Sequence, residues 1–476
     1  MYNFLSSCIA LPELITLVAL LINMPSSRPS TSSSCDNDGG GGSDDGGRRW
    51  SLRERPTRYR RHAINEVWPE PFLEALALRA ALDASRLSGR LAVAKALASI
   101  FQVSSTWLAV SRSDPMWAHL TRVVWDQKTL HRGTWREEYI YWHRTARNFR
   151  DGVVSHYVLD FDTPNVAGNP DEFTCRRLAL SDRYLACGFA DGSVRLFDLL
   201  TCRHCQTFRP EQRLRLGRFS RAVAGIVIGP IRLVFATLDG DLHVVNVDGS
   251  SAPRIVHAGD IIESGPLVDF AGCSRWWVGL FAGVPGKTFH IWDANMQIRT
   301  FVGGSLTDPE AVIGWHTLSD PTLIVGRVRM VPHLDMAVAC THSRVVALDL
   351  RQGISVVEEE CRRGVNVGSL DVTGGAYVSV DSRGMATERL VGSMEEICRF
   401  NSRASRGAFV VGCCNRGYAL LWSGGEVRVF ELEQGGEFLY GLGDRVLETN
   451  ALIANERHVA AVGEGNLIHL WDYGAM

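Results

Sequence analysis

The sequence predicts a mainly β protein: a seven-bladed β-propeller preceded by a small all-α module and a disordered N-terminal leader. Three observations carry that expectation. A stretch rich in Ser, Gly and Asp lies near the start, the apolar period changes from helical to two-residue near residue 151, and a strand–turn–strand unit recurs seven times beyond it. The expected boundaries are a leader over residues 1–61, a helical module with a linker helix over 62–150, and the propeller over 151–476.

In the leader, "MYNFLSSCIALPELITLVALLINM" is oily from Leu14 to Met24 but carries Glu13 and no Lys or Arg. A secretory signal wants a basic start and a small-residue cleavage site, and a membrane helix wants about 20 apolar residues. The segment meets neither requirement, so no membrane association is expected, and translation is expected to start at Met24. "MPSSRPSTSSSCDNDGGGGSDDGG" then has the composition of a disordered chain. It ends in "RRWSLRERPTRYRRH", whose Arg48, Arg49, Arg53, Arg55, Arg58, Arg60 and Arg61 suit either a nuclear-import or nucleic-acid patch or a solvated linker.

A formal net charge of -2 over 476 residues gives no global attraction to nucleic acid, and direct nucleic-acid binding is not expected. Most of the 12 cysteines sit in apolar runs such as "YLACGF" and "MAVACTH", as reduced, buried thiols of a nuclear or cytosolic protein do. Cys202 and Cys205 make a CxxC around His204, and Cys413 and Cys414 are adjacent. A zinc site needs four ligands brought together, and no second such pair exists. No metal and no cofactor are expected.

From Asn65 the period is helical. Pro71 suits a first turn, and Phe72, Leu76 and Ala80 follow at helical spacing, as do Leu91, Ala94, Leu97, Ala98 and Phe101. Val103, Trp107 and Val110 share a face; Asp114 is expected to cap a helix opening at Pro115, with Trp117, Leu120 and Val124 on its apolar side. "TWRE" forms a capping box in which Thr134 and Glu137 satisfy each other's backbone donors. So small a module has too little interior for Trp68, Phe72, Leu76, Phe101, Trp107, Trp117, Trp125 and Trp135 together. The surplus is expected to meet another domain or another protein.

"VWPEPFLEALALRAA" followed by "FQVSSTWLAVSRSDPMWAHLTRVVW" resembles the F-box, the helical motif that docks on the Skp-family adaptor of a cullin-based ubiquitin ligase. Trp68-Pro69 stands where that family has Leu-Pro, and Phe72, Leu73 and Leu76 match its first hydrophobic helix. Trp107 and Trp117 match the closing Cys-x-x-Trp and Asp-Pro-x-Leu-Trp pattern, with Ser104 or Ser105 replacing the cysteine and a longer gap from Pro69 to Trp107. The resemblance implies adaptor contact through Trp68, Pro69, Phe72, Leu73, Leu76, Trp107 and Trp117. The competing reading is a plain helical bundle packed on the next domain.

Past Asp151, "YLACGFADGSVRLFDL" reads as a hairpin around Asp191-Gly192, a pair that tolerates the positive φ of a two-residue turn. The unit returns six times, its closing strands ending near Phe197, Val245, Trp292, Leu348, Glu388, Phe430 and Trp471. WD-repeat blades recur at that spacing and often end their third strand in Trp-Asp, as Trp292-Asp293 and Trp471-Asp472 do. After Asp472 too few residues remain for a fourth strand. "SHYVLDFD", Ser155 to Asp162, is expected to fill that place and close the ring, since an open edge invites aggregation.

Over residues 62–476, "WREEYIYWHRTARNFR", "GRFSRAVAGIVI", "RWWVGLFAGVPG", "FHIWD" and "FVGGSLTDPEAVIGWHTL" are similar to the plant STERILE APETALA type of F-box and propeller protein. That resemblance implies a nuclear regulator of flower and organ development acting as a ubiquitin-ligase receptor. Its partners would be the Skp-family adaptor, through it the cullin ligase, and a protein substrate on the propeller. The alternative is a non-ligase scaffold or transcriptional co-regulator, because propellers host many functions.

Substrate would bind where loops joining second to third strands, and blade to blade, crowd onto one face. Arg213, Arg215 and Arg218 favour an acidic or phosphorylated partner there, or else form a solvated loop. Trp276 and Trp315 are anchor candidates, and Trp277 either an anchor or core. The sequence has no GxSxG, HExxH or P-loop, so no catalytic residue is expected.

Overall fold

The computed structural model describes residues 68–159, 174–210, 218–304, 326–341, 344–351, 355–360, 367–404, 410–443, 446, 449, 451–463 and 467–474. The leader and its arginine cluster lie outside them. The chain forms two compact units that divide between Val124 and Trp125.

Among its described residues the first unit is all-α, with α1 (Glu70–Ser88), α2 (Ala92–Phe101), α3 (Ser105–Val110) and most of α4 (Asp114–Trp125). Pro71 sits in the first turn of α1 as expected. The buried stripe of α1 is Leu73, Ala77 and Ala81, one residue out of register with the expected Phe72, Leu76 and Ala80. In α2, Val93, Leu97, Ala98 and Phe101 are buried. Ser104 caps α3, its hydroxyl accepting from the Trp107 N–H. The Ser113 hydroxyl, rather than Asp114, receives the Met116 N–H at the start of α4.

The second unit opens with α5 (Trp135–Asp151), whose Thr134–Glu137 capping box is formed as expected. The contacts group this helix with the ring rather than with the helices before it. Seven four-stranded antiparallel blades follow. They are β2 to β5 (Cys175–Leu180, Tyr184–Phe189, Val194–Asp198, Arg203–Phe208) and β6 to β9 (Val223–Ile228, Arg232–Thr237, Leu242–Asn246, Arg254–His257). Next come β10 to β13 (Leu267–Gly272, Trp276–Phe281, Phe289–Asp293, Ile298–Gly303) and β14 to β17 (Arg327–Val331, Met336–Cys340, Arg344–Asp349, Ser355–Glu360). Then come β18 to β21 (Val367–Thr373, Ala376–Asp381, Met385–Leu390, Glu396–Asn401) and β22 to β25 (Val411–Cys414, Tyr418–Ser423, Glu426–Glu431, Glu437–Gly441). The seventh blade is β26 to β28 (Leu452–Ala454, His458–Val462, Ile468–Asp472) completed by β1 (Ser155–Leu159). A short helix, α6 (Ile261–Ser264), precedes β10.

All seven closing strands inferred from sequence are third strands of blades. The first hairpin differs in detail, because Asp191-Gly192 lies within a four-residue connection in which the Phe189 N–H donates to the Ser193 carbonyl at 2.9 Å.

Packing explains why the ring must be complete. Each apolar cluster of the ring joins two neighbouring blades: Phe235 of the second blade lies with Val194 and Leu196 of the first, and Trp292 of the third with Val244 of the second. A strand such as β23 is buried along its whole length because both of its faces meet a blade. Inner strands approach closely where glycine permits: a Cβ on Gly225 would lie 2.2 Å from the Phe270 carbonyl oxygen of the next blade.

The expected closure is present. β1 pairs antiparallel with β28, from Ser155 opposite Asp472 to Leu159 opposite Ile468. His156 stacks on His469 and on Trp471, with a 3.0 Å hydrogen bond between the imidazoles. Just upstream, α5 docks on the last two blades. Phe149 is sandwiched between Tyr418 and Tyr473, the Tyr418 hydroxyl donates to the Ala146 carbonyl at 2.8 Å, and Asn148 donates to the Tyr473 carbonyl at 2.6 Å.

The aspartate ending β28 is held by Arg457 in a two-point fork, Nε to Oδ1 at 2.7 Å and a terminal guanidinium nitrogen to Oδ2 at 2.6 Å. Burial alone would raise the Asp472 pKa, but Arg457, His458 and the Gly474 N–H outweigh it and hold the carboxyl well below the usual range. A depressed folded-state pKa stabilises the ring above the unfolded value, about 4, and that stabilisation disappears as pH falls through the folded one. Asp472→Asn is therefore expected to lower the melting temperature at neutral pH and to shrink the wild-type loss on acidification. Equal melting of both proteins across the acid range would contradict this.

Candidate functional site

The helical unit presents an apolar surface because α1 carries two stripes. Leu73, Ala77 and Ala81 point inward, while Trp68, Phe72 and Leu76 are 48%, 45% and 44% exposed along another face. Trp68 stacks on Phe72 with ring centroids 4.7 Å apart. Pro69, at the N-cap, is exposed. Thus four of the seven adaptor candidates lie together on the surface. Trp107 is half-buried. Leu73 and Trp117 are interior residues instead: Trp117 sits edge-on to Phe101 and its indole N–H donates to the Ser111 carbonyl at 2.7 Å.

The ring has two faces. One carries the loops joining second to third strands and blade to blade, and is called here the connecting face; the other carries the remaining turns and receives α5. Arg213, Arg215 and Trp315 belong to blade-to-blade connections outside the described residues. Arg218 opens a single 3-10 turn, Arg218–Arg221, that leads into β6. Trp276 is a correction. It starts β11 beside the β10–β11 turn, on the face away from the connecting loops, and packs half-buried against the core between the third and fourth blades. Trp277 is core.

Sequence reading missed a polar belt inside the central channel. Arg177 of β2 reaches across to donate to the Ala224 carbonyl at 2.7 Å and the Val268 carbonyl at 3.1 Å, two blades away. Asp269 of β10 lies 3.3 Å from Arg177 and accepts from Arg329 at 3.0 Å and from the Val328 N–H at 2.9 Å. Arg329 continues to Asp371 of β18 at 3.1 Å, and Asp371 accepts from the Cys414 N–H at 2.8 Å. Six blades are thereby linked across the channel. Arg329, though buried, has its pKa raised by its two carboxylates. Arg177 is pushed the other way, to about 9, by burial first and then by the Arg327 guanidinium. The sequence signal was a charged residue on the first strand of each of four blades, in "CRRLAL", "LVDFAG", "RVRMV" and "VGSLDVT".

Among the described residues no group of three or more metal-ligating side chains gathers, and no helix is long and apolar enough to cross a membrane. The site is thus two surfaces, an apolar stripe and a ring with a charged channel, suited to holding other molecules.

No family model matches the sequence. The ring is similar to the crystal structure of RRP9 WD40 repeats, with a TM-score of 0.51 at 9% identity over 67% of this chain and 97% of that one. Together with the blade topology, this defines a WD40-type seven-bladed propeller. The chain is also 53% identical over 427 residues to the transcriptional regulator STERILE APETALA of Arabidopsis thaliana, covering 88% of this chain and 95% of that one. It belongs to the STERILE APETALA family.

Truncating an interior and an exposed aromatic of the helical unit should separate packing from display. Trp117→Ala is expected to destabilise by about 3–5 kcal/mol, and Phe72→Ala by well under about 1 kcal/mol. Thermal or denaturant melting checks both, and similar losses for the two variants would refute the assignment of faces.

Proposed function

We propose that the protein is a non-catalytic interaction scaffold acting in transcriptional regulation in the nucleus, as a co-regulator in flower and organ development. The propeller holds a protein partner, and the helical unit offers a second docking surface. The observation that carries this reading is the 53% identity to a protein described as a transcriptional regulator. The architecture supports it: a WD40-type ring offers wide loop-bearing faces for partners.

One observation favours a second reading, a substrate receptor of a cullin-based ubiquitin ligase. Trp68, Pro69, Phe72 and Leu76 form an exposed apolar face of the kind that an adaptor would cover. In that reading chemistry belongs to the ligase, and the protein acts by bringing substrate near.

The test uses full-length protein, wild type and Phe72→Ala/Leu76→Ala, tethered at a reporter promoter in plant nuclei with parallel co-purification of the Skp-family adaptor. The scaffold reading expects reporter output to change and to persist in the variant. If output follows adaptor capture, and both vanish in the variant while its melting is unchanged, the ligase reading replaces it. No reporter change and no adaptor capture would contradict both.

A further inference from the structure

On the face of the ring that receives α5, the turns of the first three blades display large apolar side chains. Leu200 in the β4–β5 turn, Ile231 in the β6–β7 turn and Met296 in the β12–β13 turn are 75%, 71% and 67% exposed, and Ile298, exposed too, opens β13. Among the described residues seven large apolar side chains are more than half exposed, and these four of them gather in one sector. We propose that this sector is a docking surface for an acidic, amphipathic segment of a partner protein. The inference rests on the reading of the propeller as a holder of protein partners, and names where one docks and by what chemistry.

The three blades adjoin at this level. Gln206 of β5 lies against Gly249 in the β8–β9 turn, and Arg254, first in β9, donates to the Gln297 side-chain oxygen at 2.7 Å, between Met296 and Ile298 in the chain. The apolar tips therefore share one surface, and large apolar groups gathered on a surface mark a contact site where single ones do not.

Arginines set the sign of the partner. Arg203, Arg232 and Arg254 are the first residues of β5, β7 and β9; all are exposed, and among the described residues none has a carboxylate within ion-pair distance. Most acids of these turns are engaged inside them. Asp198 accepts from the Leu200 and Thr201 N–H groups and from Arg183, Asp248 from the Ser250 N–H, and Asp293 from the Asn295 and Met296 N–H groups. Asp182 is the remaining acid of these turns, against three arginines without a carboxylate.

Elsewhere the same face already takes an amphipathic helix of the opposite sign. Over the sixth and seventh blades α5 sets Phe149 between Tyr418 and Tyr473 and brings Arg150 to 3.4 Å from Glu431. The nearby turns are acidic, with Glu395, Glu433 and Glu437 exposed in or beside them. Over the first three blades the signs are reversed, so the matching segment carries Asp or Glu among large apolar residues. Nucleic acid fits less well: its phosphates match the arginines but leave the apolar tips in water and meet Asp182.

The experiment pans a random-peptide display library on the full chain, wild type and Arg203→Glu/Arg232→Glu/Arg254→Glu. Peptides enriched on the wild type and lost on the variant are expected to carry Asp or Glu among large apolar residues. The best of them, fluorescein-labelled and followed by anisotropy, should bind about tenfold or more weakly to that variant and to Leu200→Ser/Ile231→Ser/Met296→Ser, and should weaken as salt rises. Melting should change little in either variant, because the replaced side chains are exposed. Replacing the three arginines by Gln serves if the charge reversal does not fold. Enrichment of peptides without acids, binding indifferent to both variants, or no enrichment at all would overturn the proposal. In the first two cases the ring still holds a protein segment, so the scaffold reading survives. Retention of duplex DNA that the arginine variant loses would give the surface to nucleic acid instead, and dimerisation lost in that variant would give it to a second copy of the chain.

Discussion

The structure depends on one pairing, that of β1 with β28. His156 and His469, which stack diagonally across it, are 313 residues apart in the chain. Among the described residues every apolar cluster of the ring lies between two blades, so the core belongs to pairs of blades rather than to single ones. A gap anywhere would expose two such faces at once. The early strand also supplies Leu159 to the cluster between the seventh blade and the first, so it contributes both ladder hydrogen bonds and core. Closing so long a loop costs entropy only logarithmically with length, and the strand and core contacts offset it.

The same pairing organises what lies around it. α5 leads into β1 through Gly152 in the left-handed conformation, and its Phe149 enters the cluster between the sixth and seventh blades. Arg150 reaches the nearly buried Glu431 at 3.4 Å. The helix is therefore a structural part of the ring rather than a tether. Inside the ring, Arg177, Asp269, Arg329 and Asp371 come from four blades, and the radial arrangement of those blades brings them within bonding distance. In the helical unit, Trp68, Phe72 and Leu76 stay partly exposed, at an energetic cost that a partner surface would relieve.

The parts legible in the sequence were those set by local period and turn chemistry. Seven third strands, the closing strand and the Thr134–Glu137 box follow from patterns only a few residues long. The register of α1 was ambiguous because Phe72 and Leu76 are as apolar as Leu73 and Ala77, and burial, not hydrophobicity, separates the stripes. Trp276 was misplaced because a residue at the start of a second strand lies opposite the connecting loops, which a composition argument about tryptophan ignores. The channel belt was invisible in any one strand; its members are single charges spread between Arg177 and Asp371 that mean nothing until the blades are arranged radially.

Hydrogen–deuterium exchange on the native protein tests the role of the closing strand most directly. If closure by β1 holds the whole ring, the backbone amides of Tyr157 and Leu159 should exchange as slowly as those of inner β27, near the global unfolding rate. Rapid exchange in residues 155–159 while the other blades stay protected would show that the ring stands without its early strand, and would contradict the account.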